Sequence, residues 1–134
     1  MTIHSHSNQV LLDTLTFKTD RKVGTFTAPG VGGNMNVTGV GFQPTLLYII
    51  MLHPNNATRT IRGEGWTDGI TQFCNYTDTT ETASSTSKII DWIDTTTITI
   101  QSASFVSFNT DGFTLNFTTS TFNTHVFVYV AFKI

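Results

Sequence analysis

The closing stretch decides the fold class: DGFTLNF at residues 111–117, a polar break at 118–123, then THVFVYVAFKI at 124–134. In its first half Phe113, Leu115 and Phe117 alternate with Thr114 and Asn116. In its second half Val126, Val128, Val130, Phe132 and Ile134 alternate with His125, Phe127, Tyr129, Ala131 and Lys133. Side chains alternate across a strand, so each half reads as a strand with an apolar face toward a core. The polar, turn-competent break between them predicts an antiparallel hairpin. Phe127, Tyr129 and Ala131 make the second face of the last strand apolar as well. A strand apolar on both sides needs cover on both sides, either from its own domain or from another chain, and in the second case these three residues mark an interface.

Working outward, residues 45–52 (TLLYIIML) form an apolar run of strand length, bounded by Pro44 and Pro54. A run without polar alternation predicts a strand near the centre of a sheet, buried on both faces. Shorter alternating stretches occur at 10–17, 22–27, 34–38, 59–66, 70–76, 88–94, 97–103 and 105–108, punctuated by Gly, Pro and Asn. No window keeps a 3.6-residue apolar period for more than about two turns, which predicts almost no helix. The expectation is an all-β, antiparallel β-sandwich, jelly-roll-like, of about 8–10 strands. Residues 1–9 read as a flexible arm and residues 10–134 as a single domain, the ordinary size for one core. Residues 77–87 (TDTTETASSTS) carry nothing apolar beyond Ala83 and are expected to be unstructured, either mobile or held only by a partner.

Composition supports the strand reading and narrows the partners. Charged residues make up 12% of the chain, about half the usual share. Threonine and eleven phenylalanines replace them, and both favour strands. The net charge of −2 argues against nucleic acid, whose binders show a basic stripe. Lys18, Arg21 and Lys22 read as a solvated turn. A polar N-terminus without an apolar signal segment, and a longest apolar run of strand length, predict a protein made in the cytoplasm with no membrane partner. The single cysteine, Cys74, excludes an internal disulfide. Asn-X-Thr triplets at Asn36, Asn56, Asn75 and Asn116 are accidents of a Thr-rich chain in this reading.

The candidates for chemistry are weak. His4 and His6 sit two apart, but no further metal ligand lies near them in sequence. His53 reads as a turn residue and His125 as a surface residue. Glu64 and Asp68 bracket Trp66, the residue types of a glycosidase pair around a sugar platform, yet a Gly-rich turn accounts for them equally. Asp91 and Asp94 lack the spacing of a calcium loop, and Cys74 has no histidine in a partner motif. The reading is therefore no catalytic residue, no cofactor and no metal. Trp66 and Trp92 remain as candidates for an exposed carbohydrate platform.

Three segments in order, GVGFQPTLLYII (39–50), GEGWTDGITQFC (63–74) and FVSFNTDGFTLNFTTSTFNTHVFVYVAF (105–132), resemble a domain of tailed-bacteriophage virion proteins, head- or tail-associated. The positions matching its phrases are Gly41, Phe42, Pro44, Asp68, Gly69, Asp111, Gly112 and Phe113. The resemblance implies a non-enzymatic β-sandwich in which these residues set turn and core geometry. It also implies a virion location and other virion proteins as partners; a homo-oligomer, such as a closed trimer, suits the two-sided apolar strand because symmetric oligomers dominate. A capsid decoration or cementing subunit is the leading expectation. A carbohydrate- or receptor-binding module of a tail fibre or tail tip, taking a host glycan, is the alternative.

Overall fold

The computed structural model describes residues 20–52, 62–77, 82–93, 100–118 and 125–134. Expectations for the N-terminal arm, the first strand at 10–17, the His53 turn and the break at 119–124 lie outside these residues. Ten strands and no helix occur among the described residues. They are β1 (Asp20–Thr27), β2 (Gly33–Val37), β3 (Leu46–Leu52), β4 (Arg62–Thr67), β5 (Gln72–Thr77), β6 (Thr82–Ser85), β7 (Ile90–Ile93), β8 (Ile100–Asn109), β9 (Gly112–Phe117) and β10 (Val126–Lys133).

The strands form two antiparallel sheets packed as a sandwich. One has six strands in the order β1-β10-β3-β4-β5-β6, the other four in the order β2-β9-β8-β7. β1 pairs with β10 and β2 with β9, so the ends of the chain nest across both sheets as in a jelly roll. Inside that nest the chain runs as two meanders, β3 to β6 and then β7 to β9. The apolar run is β3, inside the six-stranded sheet between β10 and β4, as its composition requires. Its burial is one-sided: Leu47, Ile49 and Met51 are buried, while Leu46, Tyr48 and Ile50 on the other face are half-buried.

Three expectations are corrected. The two closing strands are not a hairpin, because β9 lies in the four-stranded sheet and β10 in the six-stranded one. They face each other across the core, with the Phe113 and Tyr129 rings 5.2 Å apart edge to face. The inward side of β10 is Phe127, Tyr129 and Ala131, all buried, so these residues build the core and are not an interface. Phe26 supplies the reason: it stacks on Phe127 at 5.1 Å and meets Phe113 edge-on, forming an aromatic cluster worth more than the smaller valines would contribute. Within 77–87, Thr82–Ser85 form an edge strand on β5, where backbone pairing substitutes for the apolar burial the segment lacks.

Strand β4 sets the spacing between the sheets. Along β4 the inward positions are Gly63, Gly65 and Thr67, and the outward ones Arg62, Glu64 and Trp66. A Cβ on Gly65 would lie 2.7 Å from the Ile89 carbonyl carbon and 3.0 Å from the Phe73 oxygen. The bare face of β4 lets the chain entering β7 lie directly on it, which buries Ile89, Ile90 and Trp92.

Candidate functional site

The residues carrying the resemblance converge on one end of the sandwich. Asp111, in the β8–β9 turn, accepts the Gly41 N–H at 2.6 Å through Oδ1 and the Gly39 N–H at 3.0 Å through Oδ2. Gly39 and Gly41 have φ of +82° and +89°, conformations that L side chains rarely adopt, and these turn both N–H groups toward the carboxylate. Those bonds, Gly41's first, hold the Asp111 carboxyl below its ordinary range. The Val40 N–H adds a bond to the Asp111 carbonyl, and the Gln43 amide donates to the Phe108 carbonyl. Phe42 packs against the core, Pro44 is fully buried, and Phe113 is fully buried below the turn. A Cβ on Gly112 would lie 2.9 Å from the Val37 carbonyl carbon, so the position needs glycine.

The Asp68-Gly69 turn closes on itself. Asp68 Oδ1 accepts the Thr71 N–H at 2.7 Å and the Ile70 N–H at 2.9 Å, which lower its pKa. Gly69, at φ +91°, passes close to the Phe108 ring. The hydrogen bonds of Asp111 and Asp68 thus hold the loops of this end together.

The second candidate region is the outer face of the six-stranded sheet. The register lines up Val23, Val130, Tyr48, Trp66 and Phe73 in one row across β1, β10, β3, β4 and β5. The next row is Thr25, Val128, Ile50, Glu64, Asn75 and Ser84. Val23 is 58% and Trp66 41% exposed, and Val128, Val130, Phe132, Tyr48, Ile50 and Phe73 are half-buried. The face is thus apolar at its centre and open.

Beside Trp66 runs a shallow groove of about 460 Å³ along Tyr48, Arg62, Glu64, Asn75 and Thr82. Glu64 holds its middle. Its Oε2 accepts the Tyr48 hydroxyl and its Oε1 the Asn75 amide at 3.4 Å. The hydrogen bond to Glu64, then burial, then the charge of Glu64 raise the Tyr48 pKa.

Of the two tryptophans only Trp66 reaches the surface. Trp92 is 1% exposed, wedged edge-on between Phe117 and Phe127, and is withdrawn as a glycan platform. His125, read as a surface residue, is buried beside Trp92. Glu64 and Asp68 have separate partners, one across the strands and the other within its own turn. Asp91 is partly buried, and desolvation raises its pKa against the opposing effect of Lys88; Asp94 lies outside the described residues.

Sequence reading missed Tyr48, Arg62 and Asn75. The signal was in β4, where bare glycines alternate with Arg62, Glu64 and Trp66 and so identify the outward face. Among the described residues, no group of three His, Cys, Asp or Glu could hold a metal ion, and no helix is long and apolar enough to cross a membrane. Comparison of the chain with family models, with curated proteins and with solved structures finds no match in any of the three.

Proposed function

We propose that this protein is a non-enzymatic structural subunit of a bacteriophage particle, a capsid decoration or cementing subunit or another particle-surface component that works by protein–protein assembly. It would be made in the host bacterial cytoplasm and reside in the virion. The observation that carries assembly is the outer face of the six-stranded sheet, where Val23, Val130, Tyr48, Trp66 and Phe73 form an apolar row open to solvent. A contiguous apolar patch of this kind on a β-sheet marks an interaction surface. The resemblance of the three glycine-aromatic phrases supplies the particle. Quantitative mass spectrometry of purified phage particles tests the proposal. Hundreds of copies per particle indicate a head surface and a handful a tail tip, while absence from the particle refutes it.

A second reading is favoured by one specific observation: the exposed indole of Trp66 beside the Arg62, Glu64 and Asn75 groove. An aromatic platform next to polar groups is the arrangement that binds a pyranose ring, so a host-glycan module of a tail fibre is the alternative. A glycan array, read against the Trp66→Ala protein, decides it: hits lost in the variant support it, and an array without hits removes it.

A further inference from the structure

We infer that the occupant of the outer face of the six-stranded sheet is a second copy of this chain, packed face to face about a two-fold axis. The inference rests on the assembly reading and specifies its first step. Strands lie about 4.8 Å apart and rise about 3.3 Å per residue. The face from β1 to β5, with β3 seven residues long, therefore presents about 550 Å². Two copies together bury about 1,100 Å², above the roughly 1,000 Å² that separates a biological contact from lattice packing and in the range of a weak, concentration-dependent dimer.

The chemistry is self-complementary. The centre is aliphatic and aromatic, with Val128, Val130, Ile50 and Tyr48, while Thr25 and Thr27 rim one side and Arg62, Glu64 and Asn75 the other. An apolar centre with a polar rim is the anatomy of a protein interface. In an isologous contact the patch meets itself, so the aliphatic centre packs on its copy, and Arg62 and Glu64 bring both signs of charge to the rim. A sheet face that covers itself closes as a two-fold dimer, in place of the trimer suggested by sequence.

The polar groups at the rim are held within the chain. Glu64 accepts the Tyr48 hydroxyl and the Asn75 amide from within its own chain, so the carboxylate comes to the rim of the contact with part of its hydrogen bonding already supplied.

The two tryptophans supply the test. Trp92 is 1% and Trp66 41% exposed, so iodide quenching of the intact protein reports on Trp66. Sedimentation velocity and iodide quenching are measured together from micromolar to millimolar protein. The expected result is a dimer whose formation shields Trp66, with dissociation at least about thirty-fold easier in Trp66→Ala, a central aromatic anchor. Val130→Thr, isosteric and strand-favouring, weakens the dimer while far-UV circular dichroism stays native. A dimer in which Trp66 stays open to iodide is built on another surface; it overturns the inference and leaves the assembly reading standing. A monomer at all concentrations also overturns it, and if glycans then shield Trp66 the face belongs to carbohydrate. Absence from the particle refutes the assembly reading whatever the oligomeric state.

Discussion

Replacing Gly65 by alanine tests the claim that the bare face of β4 sets the spacing of the sandwich. The added methyl would overlap the Ile89 carbonyl oxygen outright and sit 2.7 Å from the carbon behind it, against about 3.5–4.0 Å for an ordinary carbon contact. The chain entering β7 must therefore retreat by more than about 1 Å, and a gap of that size forfeits about half or more of the attraction across it. Ile89, Ile90 and Trp92, at 0%, 5% and 1% exposure, lose that contact together. Burial of each such side chain contributes about 1.5–3 kcal/mol. With the strain of overpacking included, the expected loss is about 3 kcal/mol.

Gly63 is the internal control. Its added Cβ would lie 3.4 Å from Met51 Cε and 3.5 Å from the Asp91 oxygen, ordinary contacts that need no retreat. Gly63→Ala also restricts the unfolded chain, which favours folding by about 0.4–1 kcal/mol where the backbone tolerates alanine. Urea unfolding followed by tryptophan fluorescence compares the two variants. With an m value of about 1.5 kcal/mol/M, the Gly65→Ala midpoint falls by about 2 M, while the Gly63→Ala midpoint stays within about 1 M of wild type. Equal midpoints for the two variants would refute the packing argument.

Three further outcomes are expected. Asp111 and Asp68 both titrate below their ordinary range because backbone N–H groups bind the ionised form. Their contribution is complete above the unfolded value of about 4 and is lost as pH falls through the lower folded values. Asp111→Asn therefore lowers the thermal midpoint at neutral pH and flattens the acid limb, and an unchanged pH profile counts against the latch. Asp91 has the opposite sign, because desolvation raises its pKa and its Oδ1 is buried without a hydrogen bond. Asp91→Asn is expected to stabilise the protein at pH 7, with the gain disappearing below about pH 4, where both states of the wild type are protonated; a loss at pH 7 would assign the carboxylate a structural role. Cys74 is fully buried, and burial foremost pushes its thiol to about 11. A thiol reagent at pH 8 should label it only at the rate of unfolding, and fast labelling of the folded protein would show β5 to be open.

The strands themselves were legible from local pattern. Alternation in 111–134, the unbroken run at 45–52 and the scarcity of charge are properties of neighbouring residues, and pleating converts them directly into strands with defined faces. The Asp68-Gly69 turn was legible for the same reason: it acts through backbone conformation and short-range hydrogen bonds. The Asp111 latch to Gly39 and Gly41 spans some seventy residues, and no spacing rule indicates it. On the outer face, Glu64 and Trp66 were visible as residues but not as neighbours of Tyr48 and Asn75, because register across three strands brings them together.

By itself, then, the sequence determined that the chain is built of strands, where the chief ones run, and that both faces of the last one are apolar. Only the tertiary structure decided which face of β10 turns inward and which sheet β9 joins. The alternation has period two and is symmetric under exchange of faces, so it cannot rank Val128 against Phe127. That ranking came from Phe26, Phe113 and Trp92, aromatic rings from distant strands whose packing is satisfied only when Phe127 and Tyr129 point at them. The valines were left outside as the open face.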